Sequence, residues 1–170
     1  MATTTAAVAK TTSPTFVAMA ATPHQLVAMM FGLGLCRFWP GTLGSIAGLA
    51  LFGALQLMSP AYRAMAYLLL ILIGAWACQK TGEDLNSPDH NAMVIDETLG
   101  MSLVLEFVAP GILMGAIAFL LFRLFDVFKP WPVYVADRRW KGGFFVILDD
   151  LLAAIYAILV ARFVFMPLLA

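Results

Sequence analysis

The sequence predicts an all-α fold, a polytopic membrane helical bundle of about five spanning or partly spanning helices behind a re-entrant N-terminal segment. Three observations predict it. Hydrophobic residues fill 62% of the 170 positions, and the mean hydropathy is +0.92. Only 12% of residues are charged, about half of the roughly 25% usual in a soluble domain. Apolar runs also recur at lengths that, with their flanks, suit a bilayer, where a crossing helix takes roughly 20 residues.

The elements follow in order. Residues 1–23 are rich in Thr and Ala and carry one charge, Lys10. They are expected to be a disordered leader, with 24–170 as one membrane-embedded domain; a cleaved signal would need a compact apolar core after a basic start. The stretch Met30 to Ser45, "MFGLGLCRFWPGTLGS", has apolar flanks, paired glycines and Pro40-Gly41. It reads as a bent or re-entrant segment, with Gly41, Thr42, Gly44 and Ser45 capping a helix that begins at Leu43. Free N–H groups and hydroxyls at such an end suit either plain capping or an anion. Leu43 to Met58 is the first apolar run, and Ala64 to Cys78 the second. Thr98 to Phe122 reads as one tilted span or as two helices with a tight turn near Ala109 to Gly111, because Pro110 disfavours helix just before it. Leu151 to Leu169 is the last run, interrupted by Arg162. Cys36 and Cys78 fit no metal-ligand spacing and read as small buried hydrophobes.

Charge favours the hairpin. Lys and Arg of short loops gather on the cytoplasmic side. With a hairpin, Arg37, Lys80, Arg123, Lys129, Arg138, Arg139 and Lys141 fall there, leaving Arg63 and Arg162 opposite. The hairpin also gathers the acids: Asp96 and Glu97, Asp126, Asp149 and Asp150, with Glu83, Asp84, Asp89 and Asp137, share one face, and Glu106 alone lies near the far turn. Acids at helix ends are often just solvated caps; adjacent acids at two separate helix starts beside a basic cluster are harder to explain so.

Carboxylates suit a hard cation such as Mg2+, which binds through one or two of them plus a substrate phosphate. Arginine and lysine beside them can neutralise phosphate oxygens. Together they point to a phospholipid phosphate. Other machinery is missing: no Cys-x5-Arg loop, no Asp-x-Asp, only two histidines (His24 and His90), no complete GxGxxG and no P-loop. A net charge of zero gives no electrostatic case for nucleic acid.

Three stretches, "FGLGLCRFWPGTLGS", "DHNAMVIDETLGM" and "FRLFDVFKPWPVYVADRRWKGGFFVILDD", resemble the phosphatidylglycerophosphatase A family in order and spacing, over roughly residues 24–165. The resemblance implies a Mg2+-dependent lipid phosphatase that converts phosphatidylglycerophosphate to phosphatidylglycerol and inorganic phosphate, in the bacterial inner membrane with its site facing the cytoplasm. The family motifs fall on Pro40, Gly41, Thr42, Gly44 and Ser45; Asp89 and His90; Asp96, Glu97 and Gly100; Phe122, Arg123, Asp126, Lys129 and Pro130; Asp137, Arg138, Gly142 and Gly143; and Asp149 and Asp150. The sequence departs from the family in "FFVIL" after Gly143 and in Ala153-Ala154 after the acids, which touches packing rather than the charged set.

Roles follow from both readings. Asp96, Glu97, Asp149 and Asp150 are the Mg2+ candidates, with Asp126 a fifth and a catalytic candidate beside Asp96, Asp149 and Asp150. Arg123, Lys129 and Arg138 would clamp phosphate, and Thr42 and Ser45 hold one of its oxygens. His90 would serve as general acid, oriented by Asp89. Direct attack by water is preferred to a phospho-enzyme. The partners expected are the lipid substrate and membrane lipids, and a homo-oligomer is compatible with the sequence. Two other functions stay open: a small ion-coupled transporter, which would carry charges deep in its spans and an inverted repeat, and a non-catalytic scaffold, which would tolerate loss of the acids.

Overall fold

The computed structural model describes residues 14–108, 111–131 and 142–169. Every regular element among them is helical, and none is a strand. Two short helices, α1 (Phe16–Ala20) and α2 (Pro23–Ala28), lead into a 3-10 turn over Met30–Leu35. Five longer helices follow: α3 (Pro40–Leu55), α4 (Pro60–Leu85), α5 (Ile95–Phe107), α6 (Ile112–Phe128) and α7 (Gly143–Val160). α7 continues through a π-turn, Ala161–Phe165, into α8 (Met166–Leu169). α4 and the continuous helix Gly143–Leu168 are each long and apolar enough to cross a membrane.

Thr98 to Phe122 is the hairpin, not one span. α5 ends at Phe107 and α6 starts at Ile112, with Gly111 at φ 141°, a backbone that L side chains rarely adopt. Of the expected leader, residues 1–13 lie outside the described residues, while Phe16–Ala20 is helical and Met19 is buried. The first long helix begins at Pro40 rather than Leu43, because proline at its first position supplies a helical φ and has no N–H to leave unbonded. α4 likewise outruns its apolar stretch and carries Lys80, Glu83 and Asp84 in its last turns. Cys78 is buried as expected, but Cys36 is exposed on the extended link before α3, and both are free thiols.

α5 is the axis. Ile95, Asp96, Thr98, Leu99, Gly100, Met101, Ser102 and Val104 are all buried, so it is enclosed on every side. It packs chiefly on α3 and α7. Small residues permit that closeness: a Cβ on Gly48 would stand 2.7 Å from the Thr98 carbonyl oxygen, and one on Gly100 2.7 Å from the Phe122 ring. Thr98 locks the pair by donating its hydroxyl to the Gly44 carbonyl at 2.9 Å. α2 docks on α4 through His24 Nε2 and Gln25 Nε2, 2.7 and 2.9 Å from Asp84 Oδ2. The outer faces stay greasy: Leu68, Leu72, Ile73, Trp76, Leu113 and Leu120 are exposed, a surface suited to lipid.

Candidate active site

The hairpin returns α6 to the start of α5, and α7 starts at the same end. Three carboxylates meet there. Ligand oxygens of Asp96, Glu97 and Asp150 lie within 4.8 Å of one another. Asp96 and Asp150 are 7% and 3% exposed, values at which an acid needs a partner. Asp96 Oδ1 accepts the Glu97 backbone N–H at 3.0 Å. Asp126 lies within hydrogen-bonding reach of Asp150. Glu97 Oε2 and Asp150 Oδ2 are buried and accept no hydrogen bond. An all-oxygen donor set with two orphaned carboxylate oxygens fits a hard divalent cation, whose charge would offset the mutual repulsion of the acids.

The bases stand around this group. Arg123 Nη1 donates to Asp126 Oδ2 at 2.6 Å, one turn along α6. Lys129 Nζ donates to Asp149 Oδ2, which ties the end of α6 to α7. The first turn of α3 closes the site. A Cβ on Gly41 would overlap Glu97 Oε1 and stand 3.1 Å from Arg123 Nη1. Only glycine lets the α3 N-terminus, with its unbonded N–H groups and positive dipole end, come this close to an acid and a guanidinium. Beside it opens a pocket of about 550 Å³ lined by Cys36, Arg37, Pro40, His90 and Asn91.

Most sequence-predicted site residues therefore converge at one end of the bundle: Asp96, Glu97, Asp126, Asp149, Asp150, Arg123 and Lys129. Others are placed differently. Asp149 is held by Lys129 rather than in the tight carboxylate group. Ser45 is fully buried and donates its hydroxyl to the Gly41 carbonyl at 3.0 Å, so its proton serves the helix. Thr42 is half-buried in the first turn of α3. His90 lines the neighbouring pocket, where its Nδ1 accepts the Ala92 N–H at 3.1 Å and leaves Nε2 as its donor. Arg138 lies outside the described residues. Sequence reading puts Gly41 in a capping turn; its use as a gap between Glu97 and Arg123 requires knowing that α3 packs on α5.

The sequence model of the family described as Phosphatidylglycerophosphatase A matches residues 26–165. A Haemophilus influenzae protein named Phosphatidylglycerophosphatase A is 40% identical over 142 residues, covering 81% of this chain and 86% of its own length. An Escherichia coli K12 protein of the same name is 33% identical over 141 residues, covering 78% of each. A Bacteroides thetaiotaomicron protein with the provisional name phosphatidylinositol-3-phosphatase is 33% identical over 151 residues, covering 82% of this chain and 93% of its own. No solved structure matches the chain.

Proposed function

The chain belongs to the phosphatidylglycerophosphatase A family, and from that premise we propose that it removes the terminal phosphate of phosphatidylglycerophosphate, yielding phosphatidylglycerol and inorganic phosphate. The observation that carries this reading is the carboxylate group Asp96, Glu97 and Asp150, with orphaned oxygens, set beside Arg123 and the α3 N-terminus. Such a site recognises a phosphomonoester and little else about the molecule. The greasy flanks supply the membrane in which a lipid substrate arrives.

In this reading Asp96, Glu97 and Asp150 hold Mg2+, with Asp126 supporting Asp150. When bound, the ion polarises the phosphoryl group and offsets the charge that develops on it. Arg123 and the N–H groups of the α3 first turn orient the phosphate oxygens, and Arg123 is itself aimed by Asp126. Lys129, held by Asp149, adds a positive charge at the rim. His90 is the candidate to protonate the departing glycerol oxygen from the adjoining pocket, as an imidazolium that has released its Nδ1 contact with the Ala92 N–H. Water attacks the phosphorus, the P–O bond to glycerol breaks, and the proton passes to the leaving alcohol. The excess of Lys and Arg at this end supports a site that faces the cytoplasm from the inner membrane.

The direct test is phosphate release by detergent-purified protein, with Mg2+ and with a chelator, from phosphatidylglycerophosphate and in parallel from phosphatidylinositol-3-phosphate. Release from the first lipid that stops on chelation is expected. No release from a folded preparation overturns the activity. Faster release from the inositol lipid overturns the substrate.

A further inference from the structure

We propose that the groove between α3 and α6 seats an acyl chain of the lipid substrate, with its phosphate at Arg123. The inference rests on the lipid phosphatase reading above. α3 and α6 flank α5, and both bring a polar end to the candidate site: Gly41 on α3 and Arg123 on α6 meet over Glu97. Away from that point the two helices part. A groove of about 750 Å³ opens between them, lined by Leu49 and Phe52 of α3, Leu105 of α5, and Gly115, Phe119 and Leu120 of α6. Its size lies within the range of pockets that bury a small organic ligand, roughly 300–1,000 Å³.

Three features favour a chain as the occupant. Its lining residues are all apolar or glycine. It begins at Leu120, one turn from Arg123, so a chain attached to a phosphate at Arg123 enters it directly. It runs to Ile112, about 16 Å of helix from Arg123, close to half of a hydrocarbon core of about 30 Å. That is the length that one layer of acyl chains fills. Gly115 keeps the groove open, since a Cβ there would meet nothing within 4 Å. At the far end the groove adjoins Gln56, Arg63 and Glu106, polar groups that an overlong chain would have to face.

Gly115→Leu fills the groove without overlapping any atom in contact with a Cβ. Gly53→Leu is the control: Gly53 is exposed on α3, its Cβ direction is equally empty, and it does not line the groove. The measurement is kcat and KM on dioleoyl and dihexanoyl phosphatidylglycerophosphate. Gly115→Leu is expected to raise KM for the dioleoyl lipid about tenfold, leave kcat within twofold, and leave the dihexanoyl lipid unaffected; Gly53→Leu is expected to match the wild type. Equal effects on both lipids, equal effects of both variants, or a wild type blind to chain length overturn the groove. So does a Gly115→Leu protein that changes only its oligomeric state, which assigns the groove to a second copy.

A second readout needs no turnover, so a failed phosphatase reading is told apart from a failed groove. Phosphatidylglycerol with a photoreactive group on its acyl chain is expected to label residues 112–120 in the wild type and not in Gly115→Leu. Labelling elsewhere, or unchanged labelling in the variant, overturns the proposal.

Discussion

At the scale of the residue, Asp150 illustrates what a crowded, buried carboxylate costs. It is almost wholly buried, its Oδ2 accepts no hydrogen bond, and two further acids lie within 4.8 Å. The nearby cations are already engaged, Arg123 with Asp126 and Lys129 with Asp149. A fold selected only for stability would not crowd like charges in this way. Asp150→Asn is therefore expected to lower kcat by about 10²-fold or more, since several kcal/mol of phosphoryl stabilisation are lost. In metal-free buffer the same variant is expected to unfold at an equal or higher temperature than the wild type, read by a thermal shift in detergent. A drop in both activity and stability would make Asp150 a structural residue. Gly41→Ala makes the complementary case. Its Cβ overlaps the end of a flexible side chain, Glu97, not backbone. The fold is expected to survive with its melting temperature nearly unchanged, while activity falls about 10-fold or more as Glu97 and Arg123 are pushed aside. Ser45→Ala tests the opposite expectation. The hydroxyl serves the Gly41 carbonyl, so activity is expected within about threefold of the wild type, with a stability change near 1 kcal/mol.

At the scale of the element, α4 and α7 cross where Gly143 starts α7. A Cβ on Gly143 would overlap the Ala75 carbonyl oxygen and the Gln79 nitrogen, both backbone atoms that cannot rotate away. Gln79 also accepts the Gly143 N–H through Oε1 at 2.8 Å, which sets the register of the two helices. Gly143→Ala is expected to destabilise the protein by about 2 kcal/mol or more, as overpacking of a tight contact does, with detergent unfolding as the check. Because Asp149 and Asp150 lie only two turns along α7, activity should fall with it. The end of α5 is secured differently. Arg162, which breaks the last apolar run in the sequence, donates to the Phe107 carbonyl at 3.4 Å, within the last turn of that helix.

At the scale of the whole molecule, the bundle has two polar ends and an apolar waist. One end holds the carboxylates, Arg123 and Lys129. The other holds Arg63, whose Nη2 stands 2.8 Å from Glu106 Oε1, with Gln56 Nε2 donating to Glu106 Oε2 at 2.9 Å. Arg63 and Glu106, which charge counting leaves on the far side with Arg162, thus pair with each other there. Exposed Phe38, Trp39, Phe128 and Trp131 ring the carboxylate end, as aromatic residues do at a membrane boundary. Single cysteines test the orientation in a chain with Cys36 and Cys78 replaced. Asn86→Cys and Trp131→Cys are expected to react with an impermeant label from the cytoplasm, and Ser59→Cys from the opposite side. Opposite sidedness of Asn86 and Trp131 would separate the ends of α4 and α6 and dissolve the shared site.

By itself the sequence determined the class: apolar runs and sparse charge require helices in an apolar solvent, Pro110 and Gly111 predict the hairpin turn, and paired acids beside bases point to a phosphate and a cation. Those signals are local, carried by composition and by neighbours along the chain. The tertiary structure alone decided which groups touch. Packing of α3, α6 and α7 around α5 sets Glu97 against Gly41 and Asp150 against Asp126, turns Ser45 inward, gives Asp149 to Lys129, and leaves Gly115 facing a groove. These are contacts between residues tens of positions apart, fixed by helix separation and rotation, which side-chain volumes set only when the whole bundle is assembled.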